Sequence, residues 1–294
     1  MCIYFHDAGG GPVFDRKVEG GDLVLTLIAA VSEFFLVVAF ALAAVLLETI
    51  DAQGFLASAT VGFAVIYGGG FPWFVIVAVF FTLGVAFTLY KYGYKRRLGS
   101  AQGKGGARNW PHILANGGLA SIAAIWNLAS PGPVPTVVFL GAISTSAADT
   151  VATELGLLSH SQPKLITNPS RTVPPGTSGG VTPLGFVGSV FAALVIGIMA
   201  LALGVLSDPY LVLPVCAIGG VFGAVFDSVM GATIQRKGYC VVCHEPTEKL
   251  RHCGERTKAI RGNRWIENNV VNVVSTVAGA AAACVTLAAL SPLI

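Results

Sequence analysis

The chain has 294 residues, of which 54% are hydrophobic and only 11% are charged, and its mean hydropathy is +0.74. Soluble globular domains carry about a quarter charged residues, so this composition excludes an ordinary soluble domain and predicts a polytopic membrane protein. The formal net charge of +3 says little, because in membrane proteins the location of Lys and Arg matters more than their sum. No nucleic-acid partner is expected.

The chain begins with a polar segment, residues 1–22, which reads MCIYFHDAGGGPVFDRKVEGGD. No cleavable signal peptide is apparent, and we expect this segment to lie outside the cytoplasm. A helix needs roughly 20 apolar residues to cross a bilayer. On that criterion, residues 23–294 form a single membrane-embedded domain, an all-α bundle of about eight transmembrane helices. The predicted spans are 23–47, 54–68, 71–90, 112–130, 133–153, 184–206, 210–234 and 266–290.

The second predicted span is short, and the sequence YGGGFP at 67–72 separates it from the third. These two segments are therefore either two crossings or one re-entrant hairpin. The loops at 91–111 and 235–265 are rich in Lys and Arg, which predicts that both are cytoplasmic. With eight spans, the loops at 48–53 and 154–183 fall on the same side. We thus expect a multi-pass protein of the cell membrane whose active face is cytoplasmic.

Asp149 and Asp227 lie within predicted spans, and an ionisable residue in hydrocarbon is a functional hypothesis by default. Asp149 belongs to a narrow polar stripe on the fifth span, together with Ser146, Thr150 and Thr153. Asp227 lies in the seventh span between Gly223 and Gly231, whose small size allows close helix approach. Neither span contains a Lys or Arg that would neutralise these acids. Such carboxylates suit Mg²⁺, which is held by one or two carboxylates and by substrate phosphates.

Polar residues also open the fourth and the last predicted spans. The sequence NWPHILANGG places His112 and Asn116 on one helix face, with Asn109 just before them. In the last span, one face carries Asn268, Asn272 and Ser275 or Thr276. Each group lies at the predicted cytoplasmic end of its helix, at the depth of the two acids. They are either helix caps and interhelical contacts or ligands for a lipid phosphate or a nucleotide base.

The loop at 166–185, ITNPSRTVPPGTSGGVTPLG, is rich in Gly, Pro, Ser and Thr. Backbone N–H groups of a Gly-rich turn can bind an anion, and an Arg can bind a phosphate through two hydrogen bonds. No Walker A motif is present, so a plain connector is the alternative. The candidate phosphate-binding residues are Arg171, Gly176, Thr177, Gly179, Gly180 and Thr182.

A cluster of cysteine and histidine residues lies in the second basic loop, in the sequence CVVCHEPTEKLRHC at 240–253. Two short ligand pairs in a polar hairpin are typical of a tetrahedral Zn²⁺ site with three Cys and one His. A disulfide is the less favoured use of these cysteines in a cytoplasmic loop. The predicted structural Zn²⁺ ligands are Cys240, Cys243, His252 and Cys253, with His244 as the alternative nitrogen ligand.

Five motifs in a fixed order resemble one known family. They are ARNWPHILANGG, SAADTVATELG, SRTVPPGTSGGVTPLG, FDSVMGATIQ and NNVVN. In order and spacing they are similar to the integral-membrane family that includes the plant phytyl-phosphate kinase and its bacterial, archaeal and animal relatives. The resemblance extends from about residue 45 to the end of the chain. The first forty or so residues match nothing in that family.

The resemblance implies a membrane kinase that converts a prenyl monophosphate into the diphosphate. CTP is the expected donor, since DTVATELG resembles a stretch of the CTP-dependent phytol and dolichol kinases. That likeness implies that Asp149 and Glu154 act at the metal and the nucleotide, and Asp227 completes the predicted Mg²⁺ ligands. Phosphoryl transfer depends mostly on positioning and charge neutralisation, which these residue types supply.

Three other functions are compatible with parts of this pattern. A cation-coupled transporter also uses carboxylates within spans, although such sites usually lie near the bilayer midplane on broken helices. A CDP-alcohol phosphotransferase is another Mg²⁺-dependent membrane enzyme, but its signature of several aspartates on consecutive turns is absent. A non-catalytic scaffold held by the metal hairpin leaves the acids within the spans unexplained.

Overall fold

A computed structural model describes residues 20–98, 107–206, 208–244, 246–248 and 250–291. Residues 1–19 of the predicted N-terminal segment lie outside this part of the chain. The helices are α1 (Gly20–Leu46), α2 (Ala52–Leu89), α3 (Tyr92–Arg97), α4 (Trp110–Ala129), α5 (Pro133–Gly156), α6 (Pro183–Ala202), α7 (Pro209–Thr233) and α8 (Asn268–Leu290). Five of them, α2, α5, α6, α7 and α8, are long and apolar enough to cross a membrane, and α1 has a shorter apolar stretch, Ala30–Leu46. The predicted all-α membrane bundle is confirmed.

Helix α2 is a hairpin of two antiparallel arms rather than one straight rod. Gly70 has φ 76° and ψ −175°, a backbone conformation that glycine adopts readily and that interrupts the helix. Gly54 and Gly84 both pack against Arg108, although in a straight helix they would lie about 45 Å apart. Each arm is roughly 27 Å long, close to the thickness of the hydrocarbon core. The segments predicted at 54–68 and 71–90 are these two arms.

The polar residues that flank the helices act mainly as N-caps, whose side chains accept a hydrogen bond from the first turn. Asn109 accepts from the His112 backbone N–H at 3.3 Å, and Thr182 accepts from the Gly185 N–H at 3.0 Å. A proline follows each of these two caps within the first helical turn, where its missing N–H costs nothing. Two predicted site residues, Asn109 and Thr182, therefore have a structural role.

Helix α5 is the centre of the bundle. It packs against α2, α4, α6, α7 and α8, and 78% of its apolar window is buried, compared with 28–44% for the other four candidate spans. Glycine allows the close packing around it, because a methyl group on Gly223 would overlap Thr145, and one on Gly141 would overlap Ala283. The predicted close approach beside Asp227 is confirmed. Asp149 thus lies on the most enclosed helix of the molecule.

The polar loops at one end of the bundle contain short strands that hydropathy alone does not predict. One sheet has the order β2-β1-β3, from Lys164–Leu165 (β1), Asn168–Thr172 (β2) and Gly180–Val181 (β3). A second has the order β5-β4-β8, from Lys237–Tyr239 (β4), Pro246–Thr247 (β5) and Lys258–Arg261 (β8). Arg251–His252 (β6) and Glu255–Arg256 (β7) pair as a small hairpin.

The described parts of the four loops predicted to be cytoplasmic lie at one end of the bundle, where Lys95 after α2 pairs with Glu154 near the end of α5. Ile50 and Arg108 form a parallel β-bridge that joins the loop after α1 to the segment before α4. Lys237 Nζ lies 3.2 Å from the Ser178 carbonyl oxygen, which joins the loop after α5 to the loop after α7. We call this end the polar face, and the candidate functional residues are found there.

Candidate active site

Asp149 on α5 and Asp227 on α7 are brought together near the polar face. Both carboxylates are half-buried, and they are close enough that the charge of one acts on the other. Ser275 Oγ on α8 lies 3.1 Å from Asp227 Oδ2 and 2.8 Å from the Val271 carbonyl, so its one proton can go to either oxygen. Among the described residues neither Asp forms an ion pair. Like charges in a partly buried site favour a cation between them.

The amides predicted near these acids are arranged on the two neighbouring helices. On α8, Asn272 is buried one turn before Ser275, and the exposed Asn268 donates through Nδ2 to Asn272 Oδ1 at 3.4 Å. On α4, Asn116 is buried and donates through Nδ2 to the His112 carbonyl at 2.9 Å. The polar stripe of α5 contacts α4 here, since Ser146 Oγ donates to the Asn116 carbonyl at 2.9 Å. Asn116 and Asn272 thus lie on two helices, α4 and α8, that both pack against α5 and contact each other.

Glu154 is not part of this cluster. Its Oε2 forms a buried ion pair with Lys95 Nζ at 2.6 Å, and its Oε1 accepts a hydrogen bond from Thr88 Oγ1 at 3.0 Å. Lys95 also donates to the Phe87 carbonyl at 2.6 Å. Five residues beyond Asp149, the helix has turned Glu154 toward α2 and α3, away from α7. Both of its oxygens are used, so the predicted Mg²⁺ role does not fit its surroundings.

The Gly-rich loop satisfies many of its own backbone groups. Gly176 and Gly179 have φ of 79° and 80°, which explains why glycine occupies these turns. The N–H groups of Thr177 and Gly180 donate within the loop, to the carbonyls of Pro174 and Thr177. These two donors, predicted to bind a triphosphate, are therefore engaged. Arg171 on β2 is exposed and keeps its guanidinium available at the polar face.

The Gly-rich loop is fastened to the end of α7 by a residue that sequence reasoning missed, Glu248. Ser178 Oγ donates to Glu248 Oε1, and Gln235 Nε2 donates to Glu248 Oε2 at 2.9 Å. The charge of Glu248 also acts on Asp227. Burial lowers the pKa of Lys237, an effect that Glu248 opposes and that Arg261 and Arg171 reinforce. Glu248 therefore links the Cys/His segment at 240–253 to the site, and its position between two Cys/His pairs was the only signal available.

The four predicted metal ligands converge. One ligand atom each from Cys240, Cys243, His252 and Cys253 lies within 4.8 Å of all the others, so this cluster can hold a metal ion. In a tetrahedral site, sulfur atoms bound to Zn²⁺ at about 2.3 Å lie about 3.8 Å apart. The four ligand atoms of the cluster, all within 4.8 Å of one another, are close to that spacing. Backbone N–H groups of Cys243 and Val242 lower the pKa of the Cys240 thiol to about 6. The alternative ligand His244 lies outside the cluster, with its ring 6.0 Å from that of Tyr239.

We expect the purified protein to carry one zinc per chain, bound by these four side chains. Cys240→Ser should abolish the bound metal and loosen the polar face, because a closed four-ligand site stabilises the loops that it joins. Elemental analysis and thermal unfolding in detergent measure both effects. Cys284→Ser on α8, remote from the cluster in sequence, is the matched control and should keep its zinc. Equal zinc content in the Cys240→Ser and Cys284→Ser variants would contradict the prediction that Cys240 is a zinc ligand.

The fold and the site define an integral membrane protein with an enclosed acidic site at one face of a helical bundle. The family model described as integral membrane protein DUF92 matches residues 35–280, and the chain belongs to this family. The resemblance drawn from the five motifs is thereby confirmed.

Several relatives align over most of the chain. Protein PGR of Arabidopsis thaliana is 32% identical over 254 residues, which cover 78% of this chain and 85% of that protein. An uncharacterized membrane protein of Methanocaldococcus jannaschii is 30% identical over 222 residues, covering 74% and 88%. Protein VTE6, chloroplastic, of Arabidopsis thaliana is 23% identical over 242 residues, covering 80% and 65%. No solved structure matches the chain.

Proposed function

We propose that this protein is a prenyl-phosphate kinase that works at the cytoplasmic face of the cell membrane. It transfers a phosphoryl group from a nucleoside triphosphate, CTP in our proposal, to a phytyl- or geranylgeranyl-type monophosphate. The observation that carries the proposal is the pairing of Asp149 with Asp227 across α5 and α7 at the polar end of an apolar bundle. The similarity to Protein VTE6 supports a kinase of this class.

The oxygen donors around the two acids fit a hard cation. Asp149 and Asp227 would hold Mg²⁺, with Ser275 and Asn272 at the edge of the site. When bound, Mg²⁺ supplies positive charge that neutralises the phosphates of the donor. Glu154 has no part in this proposal, because it is neutralised by Lys95.

The acceptor and the donor use different sides of the site. An oxygen of the lipid phosphate attacks the terminal phosphorus of the donor, a new P–O bond forms, and the nucleoside diphosphate leaves. No protein nucleophile is required. Arg171 contacts the donor phosphates together with the Gly-rich loop, through backbone N–H groups other than those of Thr177 and Gly180. His112 with Asn116 faces the lipid phosphate or the base. The isoprenoid tail lies among the apolar helices, where Gly and Ala leave room. Zn²⁺ in the hairpin has a structural role, and the N-terminal residues have no assigned role.

The proposal is tested by incubating the purified protein in detergent with geranylgeranyl monophosphate, Mg²⁺ and each nucleoside triphosphate in turn. Mass spectrometry should detect prenyl diphosphate, with CTP preferred and no product when Mg²⁺ is removed with EDTA. Transfer from another triphosphate would correct the donor alone. Absence of product with phytyl, farnesyl and geranylgeranyl monophosphates alike would refute the kinase and favour a cation-coupled transporter, which proton- or sodium-flux measurements in vesicles then detect.

A further inference from the structure

Arg108, between α3 and α4, is a buried cation that forms no ion pair with any residue that the structure describes. Only 5% of the residue is exposed, and within the part of the chain that the structure describes its Nη2 has no hydrogen-bond partner. Glu154 is the acid whose charge acts on it, but that carboxylate is already paired with Lys95 at 2.6 Å. The neighbouring residues 99–106, GSAQGKGG, contain no acid. Lys95, Arg108 and Glu154 together carry one net positive charge, and the nearby Asp51 carboxylate accepts a hydrogen bond from the Gly54 backbone N–H at 2.8 Å.

The backbone holds Arg108 firmly in this position. Its N–H donates to the Thr49 carbonyl at 2.9 Å, and its carbonyl accepts from the Asp51 N–H at 3.3 Å. The guanidinium lies over the Phe81 ring, 5.3 Å from the ring centroid, and fills the space where Gly84 lacks a side chain. Glycine at 84 therefore makes room for the guanidinium. A contact with one aromatic ring satisfies neither the charge nor the N–H donors of Nη2.

A buried, uncompensated guanidinium is costly, and an oxyanion removes that cost. Burial lowers the pKa of Arg108 to about 10, so the group stays protonated at neutral pH and keeps its charge for a ligand. Its planar N–H donors match a phosphate, which they can bind through two hydrogen bonds. The charge of Arg108 also acts on His112, so the guanidinium lies beside the residues that we assign to the lipid phosphate or the base.

We propose that Arg108 forms a buried binding site for a phosphate group between the second arm of α2 and the start of α4. The ligand chemistry is a phosphate ester, which either the lipid monophosphate or the donor nucleotide can supply. The identity of the natural ligand rests on the proposed kinase function, whereas anion binding at Arg108 does not. The Arg108 site differs from the Gly-rich loop, whose Arg171 is exposed and lies beyond α5 in the chain.

The test measures binding of three probes to the full chain in detergent: inorganic phosphate, geranylgeranyl monophosphate and CTP. We expect Arg108→Gln to weaken the binding of inorganic phosphate and of one of the other two probes by about ten- to a hundredfold. This is the scale of hydrogen bonds to a charged group. If the variant binds geranylgeranyl monophosphate more weakly but binds CTP as the wild type does, the natural ligand is the lipid. If it binds CTP more weakly but the lipid as the wild type does, the natural ligand is the nucleotide. Arg97→Gln, an exposed arginine on α3, is the matched control and should bind all three as the wild type does.

A second variant, Gly84→Ala, tests the same site if Arg108→Gln fails to fold. Gly84→Ala places a methyl group on the guanidinium, whose flexible end can shift at little cost to the fold. This variant should bind the same probes more weakly, while the midpoint of its thermal unfolding stays near that of the wild type. A purely structural Arg108 predicts lower stability with unchanged affinity per folded molecule, and that result overturns the proposal. Arg108-dependent phosphate binding without any kinase activity would keep this site and refute the proposed function instead.

Discussion

Asp149→Asn is expected to lower phosphoryl transfer by at least about a hundredfold, while the protein still folds and inserts into the membrane. Loss of a single charge-stabilising group lowers kcat on this scale. The amide has the shape of the carboxylate but lacks the negative charge that would hold Mg²⁺. It also removes the repulsion between Asp149 and Asp227, so the variant should be at least as stable as the wild type. Prenyl diphosphate formation and thermal unfolding in detergent measure the two effects.

The matched control for this variant is Asp208→Asn. Asp208 caps the opposite end of α7 by accepting from the Tyr210 N–H at 2.8 Å, and Asn caps a helix about as well. The same chemical change there should leave both activity and stability near the wild-type values. Full turnover in Asp149→Asn would falsify the metal role of the acid pair. A strong loss of stability in that variant would instead indicate that Asp149 is a structural residue.

The largest expected effect on stability comes from the buried pair of Lys95 and Glu154. Removing one partner of such a pair leaves an uncompensated charge and typically costs about 3–5 kcal/mol. Glu154→Gln should be the more damaging change, because it leaves Lys95 and Arg108 buried without an acid. Lys95→Met leaves Glu154 with the Thr88 hydroxyl and the more distant Arg108. Thermal unfolding in detergent or lipid nanodiscs measures the difference.

The double variant Lys95→Met/Glu154→Gln separates the ion pair from a metal role. It should recover part of the stability lost in Glu154→Gln, because the two side chains interact directly. Lys91→Met, an exposed lysine four residues earlier, is the control and should change little. Strictly additive losses, or a Glu154→Gln variant that is stable but inactive, would return Glu154 to the Mg²⁺ site that the sequence motif predicts.

Local features of the chain were predictable because short-range chemistry decides them. Long apolar runs must satisfy their backbone groups internally in lipid, and they therefore become helices. The glycines at 68–70 end one arm of α2 because only glycine accepts the turn at Gly70 easily. The ligands Cys240, Cys243, His252 and Cys253 lie within 14 residues in the sequence, so their spacing alone indicates one metal site. Gly223 indicated the close helix contact beside Asp227, because a residue without a side chain lets two helices approach closely.

The membrane bundle, its polar face, the Cys/His cluster and the acids at 149 and 227 follow from the amino-acid sequence alone. Which charges meet depends on the packing of the helices. Helical periodicity gives the face on which Glu154 lies, but its partner Lys95 comes from a separate short helix 59 residues away in the chain. Glu248 and Arg108 likewise acquire their surroundings from segments distant in the sequence. The physical reason is that burial and pairing depend on the neighbouring helices, whose rotation and packing no local pattern encodes.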